Sequence, residues 1–187
     1  MHKFLRTLHS TFAPRSKFLP ISRQFLHNKM SELDPYGRPY PSRQGGYLVP
    51  SLAADNVIFR TKEGKLQVLL VTRARDPYAG RLAFPGGFVD YNEDPKNACI
   101  RELKEECNIE GVEPKLLTIS GDPARDPRGH VVSIIYRVTV SEDAQPVGGD
   151  DAAHADFYNV DELLADPERL AFDHHQILKY AVDTYKD

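Results

Sequence analysis

Apolar and polar positions along this chain change period several times, and each change marks an element. Cys99, Ile100, Leu103 and Cys107 recur at helical spacing and form one apolar arc. Asp94 ahead of Pro95 reads as an N-cap with proline at the first helical position, and Asn108 tolerates the left-handed conformation that ends a helix. Together they predict a helix over 95–107. Upstream, Val57-Ile58-Phe59 and the apolar run 66–71 flank Lys62-Glu63-Gly64-Lys65, which predicts a hairpin in a domain beginning near Leu52. Residues 76–80 predict a loop, 82–84 a short strand into Pro85-Gly86-Gly87, and 88–89 an extended continuation before a loop over 90–93. Residues 115–120 predict another strand, 121–129 a polar loop, and 130–140 the clearest strand, rich in β-branched residues. A long loop over 141–153 precedes a strand at 156–160 and a short helix at 161–164. A final helix spans 173–185, with Ile177, Leu178, Ala181 and Val182 as its apolar stripe. Strands mixed with one central and one terminal helix predict an α/β sandwich with a mixed sheet.

The polar side of the central helix carries its own signal. Glu102, Glu105 and Glu106 stand at i, i+3 and i+4, so at roughly 100° per residue they share one face. Like charges so placed repel unless a cation sits among them, and hard divalent cations with oxygen ligands are the natural partner. A solvated acidic face is the plain alternative. It leaves Glu93, Arg101 and the Gly86-Gly87 pair unexplained.

This stretch resembles the Nudix hydrolase signature, Gx5Ex7REUxEExGU, where U is a bulky aliphatic residue. Gly87, Glu93, Arg101, Glu102, Leu103, Glu105, Glu106 and Ile109 fall at the required places. Asn108 stands where the signature has Gly, and Asn tolerates the positive φ such a position needs. The resemblance covers roughly residues 50–185 and implies a Nudix-type α/β/α sandwich with a mixed β-sheet. It implies hydrolysis of the pyrophosphate of a nucleoside diphosphate linked to another group, dependent on Mg²⁺, with Mn²⁺ as the alternative. Glu102, Glu105 and Glu106 are then metal-binding and catalytic, with the Gly86 carbonyl as a further ligand. Gly86 and Gly87 are expected to let the backbone approach the metal. Glu93 and Arg101 are expected to pair and hold the loop against the helix. The general base is a box glutamate or an acid of a distal loop. In Gly148-Gly149-Asp150-Asp151, Asp151 is the candidate and Asp150 the fallback. A turn aspartate beside two glycines is the plain reading.

Substrate choice lies outside this stretch. The loop GDPARDPRGHVVS and the ending LAFDHHQIL resemble those of ADP-ribose pyrophosphatase-like members and of ADP-ribose-sensing regulators. The expected reaction takes ADP-ribose to AMP and ribose 5-phosphate. Arg81, Arg125 and Arg128 are the candidate substrate contacts, with guanidinium forks suited to anionic oxygens. Solvated loop arginines are the common alternative. Tyr78 and Phe84 could stack on a base, although Phe84 also suits a core. Two other readings stand. One is a housecleaning pyrophosphatase for damaged nucleoside triphosphates or NADH-type dinucleotides. The other is a non-catalytic ADP-ribose-sensing module. The sensor expects damage to Glu102, Glu105 or Glu106, and all three are present. It also expects an attached DNA-binding domain, for which 187 residues are expected to leave no room. His154, His174 and His175 show no metal-ligand spacing, and Asp173 reads as the N-cap of the last helix.

Composition and charge change the picture at the edges. Hydrophobic residues at 41% and charged residues at 27% fit a globular domain, and no apolar run approaches a membrane span. Cys99 and Cys107 lie about two helical turns apart, too far to bond to each other, and read as small buried apolar residues. The net charge of −3 hides an asymmetry: residues 1–30 carry six Lys or Arg and no Asp or Glu, against 18 and 27 in the remainder. This basic, acid-free tail can line Phe4, Leu5, Leu8 and Phe12 on one helical face, the profile of a mitochondrial transit peptide. The expected location is the mitochondrial matrix, and otherwise the cytoplasm. A plain basic tail with Met30 as the true start is the alternative. Residues 31–50 form a Pro/Gly-rich lead-in, and 51–187 the Nudix-like domain. The expected partner is a nucleotide small molecule. Nucleic acid is not expected, since the acidic body repels phosphate, and neither is a membrane. A homodimer is admitted because many family members are dimers.

Overall fold

The computed structural model describes residues 43–44, 47–148 and 152–185. The basic tail, most of the lead-in and the Asp150-Asp151 pair lie outside the described residues. Among the described residues, nine strands and three α-helices follow in order: β1 (Arg43–Gln44), β2 (Tyr47–Leu48), β3 (Ser51–Lys62), β4 (Lys65–Arg73), β5 (Leu82–Ala83), β6 (Gly86–Phe88), α1 (Pro95–Cys107), β7 (Lys115–Ser120), β8 (Val131–Thr139), β9 (Ala152–Asn159), α2 (Val160–Ala165) and α3 (His174–Asp183). A 3-10 turn at Pro167–Arg169 joins the last two helices. β1 and β2 pair only with each other, while the main sheet runs β5-β4-β3-β8-β7, with β6 added to β3 and β9 to β4.

The expected hairpin is the β3–β4 ladder, closed by Lys62↔Lys65. β3 and β8 pair in parallel from Ser51↔Val131 to Phe59↔Thr139, and the other ladders are antiparallel, so the sheet is mixed as expected. β3 is much longer than its apolar segment 57–59 indicates, and residues 53–60 are buried without a break. That is the signature of a strand covered on both faces. Alternation sends Val57 and Phe59 toward Leu163, Ile177, Leu178 and Ala181 of α2 and α3. It sends Ile58 the other way, toward Leu103 and Cys107 of α1. The result is an α/β sandwich with helices on both sides of the sheet. Each fully buried side chain such as Phe59 or Leu103 contributes about 1.5–3 kcal/mol of transfer free energy.

The caps of α1 follow the sequence reading. Asp94 accepts from the Lys96 amide at 2.8 Å, and Asn108 closes the helix at φ 53°, ψ 36°. Two expectations need correction. β9 starts at Ala152 rather than near 156, because pairing with β4 extends a segment of weak strand propensity. Asp173 stands at the cap position of α3 but its side chain caps nothing there. Arg125 and Ser120 take its oxygens instead. Cys99 and Cys107 are free and buried, as expected.

Candidate active site

α1 presents its carboxylates beside β6, and Arg101 organises them. Its Nε and Nη2 donate to Glu93 Oε1 and Oε2, both at 2.9 Å. Nη1 donates to Glu102 Oε1 at 2.7 Å and to Glu105 Oε2 at 3.2 Å, and Nη2 also reaches the Phe88 carbonyl at 3.1 Å. The expected Glu93–Arg101 pair is thus one arm of a hub that ties the loop over 90–93, β6 and the acidic face together. Hydrogen bonds from Arg101 and from the Asp90 amide hold Glu93 down to about 2. Glu102 goes the other way: burial pushes its carboxyl up despite Arg101.

Glu106 faces the glycine pair. Its Oε2 accepts from the Gly86 amide at 3.0 Å. Burial raises it to about 8, with the charges of Glu102 and Asp55 adding to the effect and the Gly86 bond opposing it. Packing by itself calls for glycine at position 86, where the obstacle is backbone, while at position 87 a side chain would displace a carboxylate of the acidic face. A Cβ at Gly86 would stand 2.4 Å from the Ala54 carbonyl, and one at Gly87 2.2 Å from Glu102 Oε1. Asn56, from β3, donates to the carbonyls of Pro85 at 3.3 Å and Cys99 at 3.2 Å, clipping β3, the residue before β6 and α1 together.

Among the described residues no three His, Cys, Asp or Glu side chains converge as a closed metal site. The donors nonetheless suit a hard divalent cation in kind. All are oxygens, and burial raises Glu102 and Glu106 even though Arg101 and the Gly86 amide oppose it, so a cation beside them would favour their charged forms.

Next to the glycine pair lies a cavity of about 160 Å³ whose wall includes Asp55, Arg73, Phe84, Gly86, Gly87, Phe88, Arg125, Asp126, Arg128, Phe172 and His174. Two of its arginines are paired with carboxylates. Arg125, buried, donates to Asp173 from Nε at 3.0 Å and Nη2 at 2.6 Å. Arg128 donates to Asp126 from Nε at 2.9 Å and Nη2 at 2.6 Å, and its guanidinium lies 5.5 Å and 5.4 Å from the ring centres of Phe88 and Phe172. Asp55 accepts from the Ser133 hydroxyl. His174 accepts at Nδ1 from the Phe84 amide at 3.1 Å and stacks on the Phe84 ring at 4.7 Å. Burial lowers His174 to about 4, so it is neutral at physiological pH.

Of the arginines expected at the substrate, Arg125 and Arg128 line the cavity, while Arg81 stands apart, 3.0 Å from Glu168. Phe84 is both core and wall, and Tyr78 packs edge-on against Phe172 at 5.0 Å. Asp55, Arg73, Asp126, Phe172 and His174 were not foreseen in the wall. One signal for Asp55 exists: an Asp55-Asn56 pair interrupting an apolar run is costly to bury without partners.

The NUDIX domain family model matches residues 50–181. The chain belongs to the NUDIX domain family. This Nudix hydrolase is 40% identical over 133 residues to the ADP-ribose pyrophosphatase of Methanocaldococcus jannaschii, covering 71% of this chain and 73% of the relative. It is 32% identical over 141 residues to the ADPR responsive transcriptional repressor NtrR of Acinetobacter baylyi, covering 74% of this chain but only 56% of the repressor. Among solved structures, the NUDIX domain of Shewanella oneidensis NrtR complexed with ADP ribose superposes with a TM-score of 0.68 at 27% identity, covering 87% of this chain and 97% of that domain. Among the described residues, no helix of this Nudix hydrolase is long and apolar enough to cross a membrane.

Proposed function

We propose that this Nudix hydrolase cleaves the pyrophosphate of ADP-ribose, giving AMP and ribose 5-phosphate. The observation that carries the reading is a juxtaposition. Gly86 is held by Glu106 of the acidic face and also lines the cavity formed by Arg125, Asp126 and Arg128 of one loop and Phe172 and His174 of another segment. The 40% identity to a protein named an ADP-ribose pyrophosphatase supports the same substrate.

Glu102, Glu105 and Glu106, with the Gly86 carbonyl, would hold a divalent cation, Mg²⁺ or Mn²⁺. Such an ion neutralises pyrophosphate and lowers the pKa of bound water. The chain's own residues do the rest. Arg101 fixes Glu102 and Glu105 on one side of α1. The Gly86 amide fixes Glu106, whose ionised carboxylate, once a cation offsets its burial, can take a proton from attacking water. Glu106 is the box-glutamate alternative for the base, and Asp151 remains the distal one. Arg128, already paired with Asp126 in the wall, is placed to exchange that carboxylate for a substrate phosphate oxygen. Arg125 holds its loop through Asp173 instead.

The test is a product assay on ADP-ribose, an oxidised purine triphosphate and NADH, each with Mg²⁺ and with chelator. ADP-ribose is expected to show the highest kcat/KM and to lose turnover with chelator. A higher kcat/KM for either of the others would overturn the substrate and leave the family standing. Binding of ADP-ribose without turnover would favour the sensing alternative, which the 32% identity to a repressor keeps in view.

A further inference from the structure

His174 lies in the cavity wall at 3% exposure, and its role follows from which nitrogen is occupied. Nδ1 takes a hydrogen bond from the Phe84 backbone amide. A backbone amide can only donate, so Nδ1 must carry a lone pair. A neutral imidazole then has its proton on Nε2. Among the described residues nothing accepts from Nε2, yet no buried side-chain nitrogen or oxygen lacks a partner. Nε2 is therefore not fully enclosed, and the cavity is the open space that His174 lines.

The neighbours decide what such a donor can read. Two carboxylates, Asp55 and Asp126, share the wall and are themselves buried. Of the arginines in the same wall, Arg125 is taken by Asp173 and Arg128 by Asp126. Among the described residues the Asp55 side chain accepts only from the Ser133 hydroxyl, so a carboxylate acceptor for hydroxyls remains there and a second phosphate next to it is disfavoured. A neutral N–H adds a donor without adding positive charge. Fixed carboxylate acceptors beside a fixed neutral donor match a polyhydroxyl group better than a further phosphate. The ring cannot easily change partners, because Phe84 stacks on it and lies between β5 and β6, both held in the sheet.

We infer that His174 donates its Nε2 proton to an uncharged oxygen of the group linked to the nucleoside diphosphate, and so selects a hydroxyl-bearing sugar over a chain of phosphates. This rests on the reading that the cavity takes ADP-ribose. His174→Asn keeps an oxygen where Nδ1 sits and removes the Nε2 donor. His174→Gln places an amide nitrogen near Nε2 and gives up the Phe84 acceptor. His174→Asn is expected to raise the KM for ADP-ribose about tenfold, the scale of one hydrogen bond to a site built for it, with the loss in KM rather than in kcat. His174→Gln is expected to recover part of that loss. Nitrogen-15 NMR of the unaltered full chain, with chelator present to stop turnover, reads the ring directly. An Nε2–H tautomer whose resonance moves on addition of ADP-ribose supports the inference. An Nδ1–H or doubly protonated ring at neutral pH, or a His174→Asn variant with unchanged KM, overturns it. A full chain that neither binds nor cleaves ADP-ribose would instead remove the reading beneath it, an outcome visible before any variant is made.

Discussion

The acidic face of α1 and the wall of the cavity meet at Gly86-Gly87, but they are assembled in opposite ways. On α1 the partners are near neighbours: Arg101 reaches Glu93, Glu102 and Glu105, all within eight positions of it. In the wall, Arg125 joins Asp173 across 48 positions, Ser133 joins Asp55 across 78, and Phe84 joins His174 across 90. The two regions also differ in how their charge is left. Burial raises both Glu102 and Glu106 despite Arg101 and the Gly86 amide, which favours a cation beside them. In the wall, Arg125 and Arg128 are each matched with a carboxylate, so a ligand must displace a partner to reach either charge.

The contrast is open to test, and the largest effect belongs to the acidic face. Glu106→Gln keeps an oxygen for the Gly86 amide and removes the charge. It is expected to cut kcat by about a hundredfold or more without lowering the melting temperature. If Glu106→Gln and Glu105→Gln both keep near-normal turnover, the acidic face is not the reaction centre. The wall gives the next effect. Arg125→Ala or Asp173→Ala strands one charge of a largely buried pair and is expected to cost about 3 kcal/mol in denaturant unfolding. The double variant should cost clearly less than the two singles together. Strict additivity would mean the pair does not join the loop to α3.

The smallest effect concerns pH, where the two regions should pull in opposite directions. Glu106 is raised from 4.5 to about 8 in the folded chain, so it binds a proton there that the unfolded chain has lost. Its contribution is full below pH 4.5 and fades as pH rises toward 8. His174 is lowered from 6.5 to about 4, so its contribution is full above pH 6.5 and fades as pH falls toward 4. In cation-free protein each slope should amount to something on the order of 1 kcal/mol, since relaxation and water moderate burial. Glu106→Gln should flatten the alkaline slope and leave the acid one. A chelated protein whose stability is level from pH 5 to 8, and unchanged by Glu106→Gln, would contradict the placement of that carboxyl.

How much of this could be read from the chain follows the same division. α1 announces itself because its cap residues, apolar arc and glutamates are all set by local spacing. Arg101 was legible as a partner of Glu93, though not as the hub of three carboxylates. Asp173 shows where local reading stops. Its position before a helix predicts a cap, and only the folded chain brings Arg125 and Ser120 close enough to claim it. Arg81 illustrates the reverse. It is close in sequence to Gly86-Gly87 but turned outward, to Glu168. β3 was understated because Ser51 to Asn56 lack strand-forming side chains. Its pairing with β8 holds it extended regardless.

That β3–β8 ladder sets the order in which the chain can become an enzyme. Its partners lie 80 positions apart, from Ser51↔Val131 to Phe59↔Thr139. Closing so long a loop is an entropic barrier met before the contacts reward it, so this step belongs late and slow in folding. α1 needs only its own turns and caps, and can gather its glutamates early. During refolding, helical signal should therefore return before activity. The interval between them would measure the time a chain spends with its carboxylates assembled and no wall to hold a substrate.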